Sequence, residues 1–279
     1  MILEKRNTGT YGNVVYLSDG RTELAAALDY GLRVVHLSCA GRENVLYRQE
    51  PGCPDGVTTD KGWRLYGGHR FWSAPESESS YYPDNEPVEC DLLEGGVRLR
   101  QRVDPWTKLQ KELTLHLLPD GTVQAEHVLT NCGDAPVSAA PWGITTLRGG
   151  GTARIPFSPT VTGEMNPRRV LALWGGTRMD DPRLRFGPEA LEVRWNGGSG
   201  DYCKLGLYNS AGTASYTVGG QRFTLTFPVA PPEVCPDMGC NTEVFVNRRF
   251  LELESLGPTQ TLAPGESARH TEHWRMETV

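Results

Sequence analysis

Between residues 112 and 130, two runs of alternating apolar and polar residues, ELTLHLL and TVQAEHVLT, flank Pro119-Asp120-Gly121. Proline presets φ for a turn and glycine supplies the positive φ that completes it, so the segment predicts an antiparallel β-hairpin. The same grammar recurs along the chain. Residues 97–103 alternate as VRLRQRV, which puts Arg98, Arg100 and Arg102 on one solvated face, opposite Val97, Leu99 and Val103. Two extended runs, LAAAL and LRVVHLS, lie on either side of Asp29-Tyr30-Gly31. Further strands are expected at 137–147, 191–195, 202–208, 214–218, 222–227, 243–247, 250–255 and 270–276. No window keeps apolar residues at helical spacing over three turns, so helices should be few and short. Strands this frequent, with 32 glycines and 20 prolines in 279 residues to turn them, imply an all-β sandwich or barrel of antiparallel strands forming a single domain over 1–279.

Charge and cysteine usage narrow the function. With 28 basic against 34 acidic side chains the net charge is −6, which supplies no basic footprint for nucleic acid. No apolar run approaches the roughly 18 residues of a membrane span, and the opening MILEKR lacks the apolar core of a signal peptide. A cytoplasmic protein with neither a nucleic-acid nor a membrane partner is the expectation. The seven cysteines, Cys39, Cys53, Cys90, Cys132, Cys203, Cys235 and Cys240, contain no CxxC pair and read as free thiols, with a Cys235–Cys240 bridge as the leading exception.

Four stretches concentrate reactive groups beside aromatics. Gly67-Gly68 permits a kink or a close backbone approach, and His69, Arg70, Phe71, Trp72 and Glu76 follow it. Arginine and histidine donate to hydroxyl or carboxylate oxygens, and a tryptophan offers a flat apolar face for the C–H-rich side of a sugar. Trp142 stands between proline and glycine, a setting that serves packing as readily as binding. In VCPDMGCNTEVFVN, Asp237 sits in a turn, while Glu243, Phe245 and Asn247 share a strand face. In FLELESLGP, period two places Glu252 and Glu254 together, either on a solvated face or in a cleft that would raise one pKa. His36, His116 and His127 lie in alternating strands and read as structural. His270 and His273 face opposite sides of their strand, so a shared metal is not expected.

At these residues the chain resembles the galactose mutarotase-like superfamily. The resemblance runs from GREN at 41–44 through the Gly-Gly-His-Arg segment, the Pro-Asp-Gly hairpin and Asn131 to the closing LESLGP and LAPGESARHTEHW. More narrowly, GGHRFWSAPE, APWGIT, KLG at 204–206, ELESLGP and HTEHW look like a separate branch of it. The resemblance implies a β-supersandwich with a sugar-binding cleft on a concave sheet face. In the aldose epimerases a glutamate before the closing loop removes the anomeric proton, and Glu254 matches it by position, with Glu252 next. The epimerase acid, a histidine, does not carry over, because Pro141-Trp142 stands where the family has Asn-His. His69, or failing it Lys204, would have to supply the proton. The site expected on this basis has Glu254 and His69 as catalytic groups and Arg70, Trp72, Glu76, Trp142, Lys204, Asp237, Glu243 and Glu252 as binding groups. No metal or cofactor is required for a small-molecule sugar or sugar derivative. A non-catalytic carbohydrate-binding protein is the alternative.

Overall fold

The computed structural model describes residues 1–49, 58–159, 163, 165, 169–198 and 202–279, so Cys53 lies outside the described residues. Two antiparallel sheets carry the chain. The first, eleven-stranded, runs from Ile2–Asn7 through Asn13–Ser18, Thr22–Ala27, Arg33–Cys39, Gly68–Ala74, Val137–Arg148, Phe250–Leu256, Thr242–Val246 and Cys203–Leu207 to Leu171–Leu173. Gln260–Leu262 pairs with Val137–Arg148 off that path. The second, ten-stranded, runs from Leu184–Phe186 through Ala190–Arg194, Thr152–Pro156, Thr213–Val218, Gln221–Thr226, Ser267–Thr278, Val123–Asn131, Leu109–Leu117 and Gly96–Arg100 to Glu89–Leu93. Helix among the described residues is confined to single turns, such as Glu78–Tyr81 and Pro236–Gly239.

The hairpin forms as its turn chemistry requires. Gly121 has φ +87°, and Leu117 faces Val123 across the closure. Leu109–Leu117 alternates between buried and half-buried residues along its whole length. Its apolar members meet those of the first sheet in one core, where Leu113, Leu115 and Leu129 join Phe71, Leu251 and Leu253. The arginine-rich strand is shorter than expected and ends at Arg100. Arg98 and Arg100 lie on the outer face, paired to Asp91 at 2.6 Å and Glu112 at 2.9 Å. Cys235 and Cys240 are free thiols. Cys235 Sγ turns to the Pro231 carbonyl at 3.4 Å, while Cys240 packs beside Gly206.

Gly67-Gly68 is a crossing point. Arg33–Cys39 pairs with Gly68–Ala74 only at Arg33–Arg70 and Val34–His69, and beyond that the strands part. Residues 45–48 fill the gap: Tyr47 N–H donates to the Thr146 carbonyl and Gly68 N–H to the Tyr47 carbonyl, both at 2.8 Å. A Cβ on Gly67 would stand 2.2 Å from the Tyr47 carbonyl oxygen, and one on Gly68 equally close to that of Val34. Both glycines have positive φ, +83° and +75°. The kink therefore needs glycine twice over, for conformation and for space.

Gly68→Ala should lower the unfolding free energy by at least about 3 kcal/mol in urea denaturation. Gly9→Ala, at φ +67° with nothing within 4 Å, should cost only about 1 kcal/mol. Equal losses would show that backbone conformation alone sets the cost.

Candidate functional site

Five strands of the first sheet build the site, and antiparallel register lines up their side chains. Arg70 stands opposite Ile144, Ile144 opposite Glu254, and Glu254 opposite Glu243. One step along the strands Thr146, Glu252, Phe245 and Lys204 form a parallel row, and Trp72 faces Trp142. Apart from Glu243 and Thr146, these residues line a cavity of about 390 Å³ on the side of the sheet away from the intersheet core. Trp63, Trp174, Tyr81, Tyr202 and Phe250 complete its largely aromatic wall.

The floor is a set of buried ion pairs. Arg70 Nη1 meets Glu252 Oε1 at 2.9 Å, an oxygen that also accepts from Thr146 Oγ1 at 3.0 Å. Lys204 Nζ lies 2.9 Å from Glu243 Oε2 and 3.4 Å from Glu254 Oε2. Trp142 Nε1 donates to that same Glu254 oxygen at 2.9 Å. The cations also cover aromatic faces, Lys204 4.6 Å above the Trp142 ring and Arg70 4.8 Å above Trp72.

Burial raises the Glu254 pKa above the usual carboxylate range; Lys204 pulls it down, and the Glu252 charge pushes it up again. Glu243 is driven well above that range by burial and then by Glu254 directly opposite. For Lys204, burial alone would favour the neutral amine, but the Glu254 and Glu243 carboxylates outweigh it and the lysine stays charged. Glu254 is 1% exposed and its Oε1 has no hydrogen-bond partner within the protein. Trp63 Nε1 and Arg70 Nε are likewise buried and unpartnered. An acceptor and two donors are therefore left around the cavity for a ligand to complete.

Of the residues singled out from sequence, Arg70, Trp72, Glu76, Trp142, Lys204, Glu252 and Glu254 line this cavity. Glu243 does not: it is fully buried behind the wall and holds Lys204. Asp237 sits in the turn Pro236–Gly239, with φ 48°, outside the cavity lining.

His69 requires a correction. Strand parity that sends Arg70 and Trp72 to the cavity sends His69 and Phe71 to the core. His69 is 1% exposed, its Nε2 lies 2.8 Å from His127 Nε2, and its Nδ1 lies 3.0 Å from Thr145 Oγ1. It cannot reach a cavity ligand as an acid. It belongs instead to an intersheet network in which His127 Nδ1 meets the His270 carbonyl at 3.1 Å and Ser255 Oγ meets His270 Nε2 at 2.6 Å. Ser255 and Trp274 both donate to Glu272, which packs against Gly143, where a Cβ would stand 2.3 Å from its Oε1. His69, His127 and Glu272 are close enough to share a metal ion, within 4.8 Å. Each of their candidate ligand atoms already has a hydrogen-bond partner, however, so the polar groups satisfy one another.

The sequence reading missed most of the aromatic wall. Phe250 has the parity of Glu252 and Glu254, so period two alone could have found it. Tyr202 has the parity of Lys204 in the run 202–208, so the same repeat marks it, whereas Trp63 and Trp174 lie outside the strands and carry no such signal.

No protein-family model matches the chain, and no curated protein matches it by sequence. Solved structures do match by shape. The Slr1438 protein of Synechocystis sp. PCC 6803 superposes with a TM-score of 0.59 at 13% identity, covering 95% of this chain and 96% of its own. A galactose mutarotase-like protein from Lactobacillus casei gives 0.54 at 12% identity over 95% and 100%. Another from Clostridium acetobutylicum gives 0.56 at 9% over 100% and 99%. The fold is galactose mutarotase-like. At these identities the likeness concerns the fold.

The intersheet histidines make a pH prediction. Burial lowers His127 to about 4 and His270 to about 3, from 6.5. A histidine held neutral contributes stability above 6.5 that is lost as pH falls, because the unfolded chain takes up protons first. Buried carboxylates such as Glu272, raised to about 7, act in the opposite sense, so a difference measurement is needed. The stability lost in His270→Gln at about pH 7.5 should shrink by about 2 kcal/mol at about pH 5. An unchanged difference between urea unfolding curves would contradict it.

Proposed function

We propose that the protein binds a monosaccharide in the aromatic cavity and promotes exchange at its anomeric carbon, with Glu254 as the base. The observation that carries this reading is Glu254, a buried carboxylate whose Oε1 has no partner within the protein, among the residues lining a cavity walled by Trp63, Trp72, Trp142 and Trp174. Flat aromatic walls suit the apolar faces of a pyranose, and unpartnered donors and acceptors suit its hydroxyls. A raised pKa makes Glu254 a stronger base than an exposed carboxylate.

In the step proposed, Glu254 takes the proton of the C1 hydroxyl, the C1–O5 bond breaks as the aldehyde forms, and the ring oxygen takes a proton from the Lys204 ammonium. Rotation about C1–C2 and reversal of these transfers close the other anomer. Lys204 stands in for the epimerase histidine because its Nζ is 3.4 Å from Glu254 Oε2 on the cavity wall. Held charged by two carboxylates it parts with a proton reluctantly, so the acid half of the reaction is the weaker one.

Binding without turnover is the second reading. It is favoured by the cavity lining, which has no imidazole among the described residues, and by the Trp142 indole that occupies Glu254 Oε2.

Exchange spectroscopy on the anomers of common aldoses separates the two. Acceleration over buffer supports catalysis; its absence together with calorimetric binding of methyl glycosides, which do not anomerise, supports the second reading. Under the first, Glu254→Gln should reduce exchange about 10²- to 10⁴-fold while changing methyl glycoside affinity less than about threefold. The wild-type rate should also fall on acidification, beginning above the ordinary carboxylate range. A rate flat down to about pH 4.5 would remove Glu254 as base.

A further inference from the structure

Both cations that reach the cavity are already engaged. Arg70 is held by Glu252 at 2.9 Å, and Lys204 lies between Glu243 at 2.9 Å and Glu254 at 3.4 Å. Against these two positive charges the site carries four carboxylates, the fourth being the exposed Glu76 at the cavity edge. A phosphate or carboxylate on the ligand would lose its hydration and meet two cations that each already face a carboxylate, with Arg70 Nε the one charged donor among the described lining residues that has no partner. A cation meets the reverse situation. Glu254 is 1% exposed, lines the cavity, and presents Oε1 without a partner. A charged donor completes such an oxygen with a bond roughly twice as strong as a neutral one.

We infer that the ligand class is an amine-bearing sugar, a 2-amino-2-deoxyhexose whose ammonium group meets Glu254 Oε1. The neutral parent hexose binds less tightly, and phosphorylated or acidic sugars bind weakest. The inference rests on the reading of the cavity as a sugar site. An amine at C2 is the position compatible with the proposed chemistry. A carboxylate oxygen has two lone pairs, so Oε1 can accept from the C2 ammonium and face the adjacent C1 hydroxyl together.

Calorimetric titration with glucose, glucosamine, N-acetylglucosamine and glucose 6-phosphate, repeated in the galactose series, tests this near pH 7. Glucosamine or galactosamine should bind about tenfold more tightly than its parent. N-acetylation, which keeps the nitrogen but removes its charge, should abolish that advantage, and the phosphate should bind worst. In Glu254→Gln the amino and parent sugars should converge. Equal binding of amino and parent sugars, or tighter binding of the phosphate, overturns this inference and leaves the sugar site standing. Binding by none of the panel overturns both.

Discussion

Adjacent antiparallel strands send alternate side chains to a dry intersheet face and to a cavity, and the chemistry of this protein divides along that line. The His69, His127, His270 and Glu272 network lies on the dry side, closed on itself by hydrogen bonds. The ion pairs of Arg70 and Lys204 lie on the cavity side. A residue can change sides only by a one-residue shift in register, which would turn the strand's entire apolar set out of the core. The division is therefore as robust as the core.

Lys204 between Glu243 and Glu254 is the costly element of the cavity side. Removing three ionisable groups from water costs several kcal/mol per charge, and attraction among them offsets that only in good geometry. Apolar side chains of similar size could give a comparably stable sheet. What the triad adds is a carboxylate with a raised proton affinity, an uncommitted oxygen and a lysine that stays charged, all on consecutive strands toward one end of the eleven-stranded sheet. The triad spans three strands in sheet order, Cys203–Leu207, Thr242–Val246 and Phe250–Leu256. That arrangement suits a functional site better than a stability device.

Much of the fold was legible because it is local. The Pro119-Asp120-Gly121 hairpin, the alternation of Leu109–Leu117 and the shared face of Glu252 and Glu254 each follow from residues a few positions apart. His69 was misplaced for an equally local reason: grouping it with Arg70 and Trp72 set aside the period of two that separates them. Glu243 was read as touching ligand because its strand face is correct, but a face does not reveal depth. Its burial comes from the strands on either side, where it meets Gly206 and Glu254. Trp63 and Trp174 reach the cavity from outside the strands, where no periodicity marks a direction.

By itself the sequence determined the strands, their turns, a backbone free to kink at Gly67-Gly68 and which residues of each strand travel together, because φ preferences and the two-residue repeat act over a few residues. Tertiary structure alone decided which of those faces became core and which became cavity. It brought the distant Lys204 between Glu243 and Glu254 and left one glutamate oxygen without a partner. Those outcomes depend on the order and register of strands far apart in the chain, and hydrogen-bonded pairing between distant segments leaves no trace in the spacing of residues within any one of them.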